Sequence, residues 1–255
     1  MKNSFLGAKR PKVTVMIDGE SAEESIAQTK NSVYDGADGF GFEMEKLNLQ
    51  EHTLETYRNI FSYTEDFPVY VTNYRGMANG DKSDEALAED LLLMQRAGAG
   101  LIDIMGDLYD QQDLGITDSP AAVEKQIELV RKIHKGGGSV LISTHTFKFM
   151  EPSDVLDIAL KQQKRGADIA KIVTAANNEE EFLSNEEALL LLKRKLDIPF
   201  IFLAVGNYCK LQRSLCALLF SPMILCKERY QAGKLMLQPL AGPMRKVIDN
   251  IDWTA

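Results

Sequence analysis

Two residues in this chain have a type and setting suited to covalent chemistry. Lys171 lies within the run Ala167-Asp168-Ile169-Ala170-Lys171-Ile172-Val173-Thr174-Ala175-Ala176, which otherwise reads as a buried parallel strand. An ammonium in such a run loses its hydration, so it must find a partner or shed its proton. A neutral lysine amine attacks a ketone and forms an imine, which then serves as an electron sink. His145, at the end of the upstream apolar run Ser143-Thr144-His145-Thr146-Phe147, offers proton transfer. In imine chemistry that means carbinolamine formation, carbon deprotonation and hydrolysis. Each residue alone also fits a structural role: a lysine paired with a carboxylate or snorkelling to the rim, and a core histidine bound to a carbonyl.

Arg75 and Arg213 are candidate anion binders, because a planar guanidinium grips a carboxylate with two parallel hydrogen bonds. Arg213 begins the helical run Arg213–Phe220, where backbone N–H groups also favour an anion. Glu43 and Glu45, two residues apart, share one face of a strand and can neutralise Lys171 or Arg75 or accept from substrate hydroxyls. Surface salt bridges for the arginines and a solvated strand end for the glutamates remain open.

The elements that must hold these residues follow from a repeated junction. Asp35-Gly36-Ala37-Asp38, Ala97-Gly98-Ala99-Gly100 and Arg165-Gly166-Ala167-Asp168 each end a helical pattern and precede an apolar run. Glycine there is the helix-terminating residue before a strand. Strands are expected at 12–19, 37–45, 68–75, 101–106, 139–146, 167–176, 199–206 and 223–227, mostly separated by helical stretches. Ser21–Glu24 and Ser184–Glu187 match the capping-box pattern that starts helices. Alternating strands and helices in this number predict an α/β fold, a (β/α)₈ TIM barrel, with 1–255 as a single domain. The glycine-rich loop of a nucleotide-binding open sheet is absent. In such a barrel, functional residues gather at the C-terminal ends of the strands.

Composition narrows the function classes. A net charge of −8 argues against a general binder of nucleic acid or membrane surfaces. No run approaches the roughly 20 apolar residues of a membrane span, and residues 1–12 lack the apolar core of a signal peptide. Cys209, Cys216 and Cys226 form no metal-binding spacing and read as reduced thiols of a cytoplasmic protein. His52, His134 and His145 are too scattered for a structural zinc site, so no metal is expected.

These segments together resemble the type I 3-dehydroquinate dehydratases, Schiff-base lyases of the shikimate pathway of aromatic amino acid biosynthesis. Ser143–Phe147 and Gly166–Ile172 are similar to the family's Ser-x-His-x-Phe and Gly-Ala-Asp-x-x-Lys-Ile segments. Val71–Arg75 is similar to its Phe-Thr-x-Arg segment with one extra residue. Lys210–Arg213 with Ser221–Met223 is similar to its Ile-Ser-Arg and Gly-Ser-x-x-Thr-Phe segments. The resemblance runs from Lys12 to about Ile251. It implies a cofactor-free (β/α)₈ barrel, commonly a homodimer, acting on a small keto-carboxylate. It implies that Lys171 forms the imine, His145 is the general acid/base, Arg213 binds the substrate carboxylate and Arg75 a neighbouring polar group. The reaction is loss of water from a β-hydroxy ketone.

The chain departs from the family pattern in the substrate-recognition positions. The family's Glu-x-Arg-x-Asp at the end of strand 2 reads Gly41-Phe42-Glu43-Met44-Glu45, so its arginine is reversed in charge at Glu43 and only the last acid survives, as Glu45. The glutamate that positions the histidine falls on Asn79. The Asp-x-Glu of strand 4 reads Asp103-Ile104-Met105, and the serine and glutamine of the C-terminal loop give way to Tyr230–Lys234, leaving Lys234 as a substrate-binding candidate. The expected substrate is therefore 3-dehydroquinate or a related hydroxylated keto acid. A class I aldolase-type barrel and a degenerate binding or regulatory homologue are the alternatives.

Overall fold

The structure, a computed structural model, describes residues 4–230 and 236–253. Strands and helices alternate along the whole of it: β1 (Lys12–Ile17), α1 (Ala22–Tyr34), β2 (Gly39–Glu43), α2 (Leu54–Ser62), β3 (Val69–Thr72), α3 (Asp84–Ala97), β4 (Leu101–Met105), α4 (Pro120–Lys135), β5 (Ser139–His145), α5 (Pro152–Lys164), β6 (Ile169–Ala175), α6 (Glu179–Lys195), β7 (Phe200–Val205), α7 (Cys209–Leu219), β8 (Met223–Cys226) and α8 (Ala241–Asp249). The strands form one sheet in the order β7-β6-β5-β4-β3-β2-β1-β8, parallel throughout. This is a nearly closed (β/α)₈ barrel; among the described residues only the β7–β8 seam lacks a ladder.

Side-chain alternation along the strands sorts the core into two layers. Inward residues such as Met16, Tyr70, Leu141, Ile169, Ile201 and Leu225 fill the barrel. Outward residues such as Val15, Phe42, Ile104 and Ile142 pack beneath the helices. The three junction glycines end α1, α3 and α5 as expected, with φ of +83° at Gly36, +120° at Gly98 and +96° at Gly166.

Each expected strand is present, shorter by one to three residues at an end. Two expected helix starts are corrected. Helix α6 begins at Glu179, because Asn178 caps it by accepting from the Glu181 N–H (2.9 Å) and Glu179, Glu180 and Glu181 suit its positive end; Ser184 lies inside the helix. Helix α7 begins at Cys209, so Arg213 sits in its second turn and its own backbone N–H does not face an anion site. Ser21, by contrast, does cap α1, accepting from the Glu24 N–H at 3.2 Å.

Candidate active site

A cavity of about 1480 Å³ opens at the C-terminal mouth of the barrel, lined by Lys171, His145, Arg213, Arg75, Glu43 and Glu45 among others. Strand ends bring these together from five different strand–loop junctions, those of β2, β3, β5, β6 and β7, which is how this fold builds sites.

Lys171 points into the barrel between Ile169 and Val173 and is almost fully buried. Its Nζ donates to Asp103 Oδ2 (3.1 Å) and to the hydroxyls of Tyr70 (2.9 Å) and Tyr74 (2.8 Å). Both tyrosines donate in turn to Asp103 Oδ2, at 2.5 and 2.6 Å, while Ser143 Oγ donates to Oδ1 at 2.5 Å. Asp103 is the inward residue between Leu101 and Met105 on β4, and Ser143 the inward residue between Leu141 and His145 on β5. Burial and the Asp103 charge push both phenols well above the ordinary tyrosine range, so they remain neutral donors. The ammonium therefore has all three protons placed, and the buried charge is balanced by one carboxylate.

His145 stands above this cluster. Its ring meets Tyr74 edge-on at 5.0 Å and stacks with Phe147 at 6.0 Å. Burial first, then the Lys171 ammonium, pushes its pKa down to about 3. The ring is thus a neutral imidazole, able to accept a proton on one nitrogen and donate from the other. Phe147 holds a left-handed backbone (φ +54°) that a bulky residue seldom adopts, and its ring covers the histidine.

The two arginines differ sharply. Arg213 is nearly fully buried; its Nε donates to the Ala204 carbonyl at 3.0 Å, and no carboxylate of the described residues lies within ion-pair distance. Burial lowers its pKa to about 10, so it stays charged at the cavity wall with Glu43 as a more distant counter-charge. Arg75 instead has every donor placed. Nε and Nη2 grip Asp84 (2.7 Å each), Nη2 also reaches the Asp107 carbonyl, and Nη1 reaches Asp107 Oδ1 (2.8 Å) and Met105 Sδ. In the empty site the guanidinium ties the β3 exit to the β4 exit while still lining the cavity.

The β1–β2–β8 side of the mouth also differs from expectation. β2 ends at Glu43 and a short 3₁₀ turn (Met44–Lys46) follows, so Glu43 and Glu45 do not share a strand face. Glu43 pairs with Lys46 and with Lys227 (3.7 Å), and Asp18 joins the same two lysines at 3.5 and 3.1 Å. Neither glutamate neutralises Lys171 or Arg75. Glu45 is buried and accepts from Thr72 Oγ1 (2.8 Å) and the Tyr74 N–H (3.4 Å). Burial and the neighbouring Glu43 raise its pKa to about 7. A Cβ on Gly41 would lie 2.8 Å from the Tyr70 ring and closer still to the Met16 thioether, so those two side chains fill the place of a larger residue.

Asn79 lies beneath the rim rather than on the cavity wall. Its Nδ2 donates to Asn73 Oδ1 (2.8 Å) and the Tyr74 carbonyl (2.7 Å), which fixes the β3 exit, below the mouth for which it is a substrate-binding candidate. Lys234 falls outside the described residues.

Sequence reasoning missed Asp103, Tyr70, Tyr74 and Ser143 as partners of Lys171. The signal was present: Asp103 is a lone acid in an apolar strand, the same anomaly as Lys171 with opposite sign. Two buried opposite charges on strands of one barrel must meet.

Cys209, Cys216 and Cys226 are buried thiols without a disulfide, as expected. Among the described residues no helix is long and apolar enough to cross a membrane, and no group of three or more His, Cys, Asp or Glu side chains is placed to hold a metal.

A sequence model of the type I 3-dehydroquinase family matches residues 13–238. The 3-dehydroquinate dehydratase of Alkaliphilus oremlandii is 28% identical over 222 residues, covering 81% of this chain and 79% of that one. The 3-dehydroquinate dehydratase of Clostridioides difficile is 24% identical over 225 residues, covering 86% and 84%. Among solved structures, the type I 3-dehydroquinate dehydratase of Clostridium difficile with covalently modified comenic acid superposes with a TM-score of 0.79 at 21% identity, over 95% of this chain and 93% of that one. The Geobacillus kaustophilus enzyme also superposes with a TM-score of 0.79, at 18% identity, over 95% and 91%.

Proposed function

The chain belongs to the type I 3-dehydroquinase family, and from that premise we propose that it is a hydro-lyase that removes water from a β-hydroxy ketone carboxylate through an imine on Lys171. One observation carries the reading. A buried lysine amine opens onto a 1480 Å³ cavity beside a neutral imidazole and a buried guanidinium that no described carboxylate pairs with. Arg213 takes the substrate carboxylate with charge-assisted hydrogen bonds. That places the ketone near Lys171 Nζ, and the amine adds to the carbonyl carbon. Water leaves and an iminium forms. His145 takes the proton from the carbon next to the iminium, whose positive nitrogen draws in the electron pair as an enamine. The enamine expels the β-hydroxyl, which leaves as water with a proton returned by His145. Hydrolysis of the conjugated imine frees Lys171 and the unsaturated ketone. No cofactor enters, and we place the enzyme in the cytoplasm as a homodimer, by resemblance to its family.

A related hydroxylated keto acid is the second reading of the substrate. The space at Gly41 is filled by Met16 and Tyr70, and Glu43 is tied to Lys46 and Lys227. Both are positions where the family places recognition groups, and a mismatch there discriminates between substrates.

The test is borohydride trapping with 3-dehydroquinate and a panel of hydroxylated keto acids, read as mass on Lys171, alongside ultraviolet detection of the enone. Lys171→Ala abolishes the adduct. His145→Ala keeps the adduct but slows turnover by about 10²–10⁴-fold. An adduct on another residue, or carbon–carbon cleavage products in place of the enone, overturns the proposal.

A further inference from the structure

Lys171 must lose a proton before it can attack, and the structure offers few places to put it. Its three N–H directions end on Tyr70, Tyr74 and Asp103. His145 contributes no hydrogen bond to the cluster; its ring meets Tyr74 edge-on. Asp103 is fully buried, and its Oδ2 receives both phenol protons. Tyr70 lies sealed in the barrel, while Tyr74 lines the cavity. Tyr74 also touches both chemical groups: its hydroxyl accepts from Lys171 Nζ at 2.8 Å, and its ring meets His145.

We infer that Tyr74 and Asp103 form a proton relay that activates Lys171, with Tyr74 as a further catalytic residue and Tyr70 as a positioning residue. The inference rests on Lys171 acting as the imine nucleophile. The Tyr74 oxygen takes a proton from the ammonium while its own proton passes to Asp103 Oδ2. The two steps span 2.8 and 2.6 Å, both shorter than the direct 3.1 Å contact between Lys171 and Asp103. The outcome is a neutral amine, a neutral carboxylic acid and an unchanged phenol, so no net charge is created in the buried site. The amine lone pair then forms the C–N bond, and the carbonyl electron pair moves to oxygen. That oxygen takes a proton from the new C–N nitrogen, giving a neutral carbinolamine. In the return stroke Asp103 gives its proton back through Tyr74 to the carbinolamine hydroxyl. The C–O bond breaks, water leaves, and the nitrogen lone pair closes the C=N bond. The iminium cation so formed faces the same carboxylate that held the ammonium.

This division leaves His145 for chemistry at carbon and assigns the protons at nitrogen to the relay. It also accounts for Tyr70. Its hydroxyl also accepts from Lys171 Nζ (2.9 Å) and donates to Asp103 Oδ2 (2.5 Å), but from the sealed floor, where it holds the carboxylate in place without access to the carbinolamine hydroxyl.

The experiment uses formaldehyde as probe, with saturating cyanoborohydride so that imine formation limits the rate, and reads methylation of Lys171 by peptide mass spectrometry. Formaldehyde reports on the amine whether or not the chain dehydrates a keto acid. Tyr74→Phe slows Lys171 methylation by about 10²-fold, whereas Tyr70→Phe changes it by less than about tenfold. In mixtures of light and heavy water, wild-type protein shows the curved rate dependence of two protons in motion, and Tyr74→Phe a linear one. Equal rates in wild type and Tyr74→Phe overturn the relay. So does a linear dependence in the wild type, a measurement that needs no variant to fold. If the relay signature is present but no keto acid is trapped, the proton relay stands and the dehydratase reading falls.

Discussion

Asp103 lies 3.1 Å from the Nζ of Lys171, and both side chains are shut off from solvent. The pair spans the barrel from β4 to β6, and Ser143 on the strand between them donates to the far oxygen of the carboxylate. A charge pair so placed is held by its hydrogen bonds as much as by Coulomb attraction, because desolvation offsets most of the latter. Five hydrogen bonds among Lys171, Tyr70, Tyr74 and Asp103 close the set.

Removing one partner should therefore be worse than removing both. Asp103→Asn is expected to destabilise the fold by about 3–5 kcal/mol, since it strands a buried ammonium. Adding Lys171→Met should recover a large part of that loss. Denaturant unfolding of the two single variants and the double variant measures the coupling. Additive losses would show that the pair is not the stabilising unit.

The barrel was legible in the sequence because its signals are local. Glycine after α1, α3 and α5, short apolar runs and polar-faced helices recur in register, and the eight strands follow. The candidate pair Lys171 and His145 was legible for a related reason: Lys171 breaks an apolar run. What escaped was set by the third dimension. Arg75 reads as an anion binder until its three-dimensional neighbours Asp84 and Asp107 consume its donors. Glu43 and Glu45 read as a strand pair until the strand stops at Glu43 and the chain turns. Tyr74 carries no spacing that marks it, and only the approach of β3 to β6 across the barrel brings its hydroxyl to Lys171.

Glu43→Arg restores the charge that the family carries there, yet it is expected to fail as a specificity switch on its own. The new guanidinium would face Lys46 and Lys227, which now lose their shared partner and keep only Asp18. The expectation is a loss of about 1–2 kcal/mol in stability and no gain in kcat/KM for 3-dehydroquinate. A clear gain in kcat/KM would show that the lysines yield and that this single charge governs substrate choice.

Glu45 should give the stability a pH dependence of known sign. Its folded pKa is about 7, against 4.5 for an unperturbed carboxylate. Between those values the folded chain keeps a proton that the unfolded chain has released, so stability is greatest below pH 4.5 and falls as pH rises through 7. The size of the fall is about 3 kcal/mol. Glu45→Gln cannot ionise and should lose this component. Relative to wild type it should gain stability at pH 8 and none near pH 4.5. Urea titrations at the two pH values read the difference, and a constant gap between the proteins would show that Glu45 does not titrate in this range.

Arg213 sets stability against function most directly. Its guanidinium is buried, its pKa is lowered to about 10 by desolvation, and its Nε bond to Ala204 is all that the described residues provide in the way of a hydrogen bond. Such a group destabilises the empty protein, because the more distant Glu43 charge offsets only part of the lost hydration. Arg213→Gln is therefore expected to raise the stability of the unliganded protein by about 1–2 kcal/mol, a rise of several degrees in Tm. The same change should raise KM for a keto acid by about 30-fold or more, since a charge-assisted carboxylate contact is lost. Thermal unfolding with and without a carboxylate ligand separates the two effects. The ligand should raise the Tm of wild type and leave that of Arg213→Gln nearly unchanged. If Arg213→Gln is less stable than wild type when empty, the guanidinium is part of the barrel's own packing and the carboxylate must be held elsewhere in the mouth.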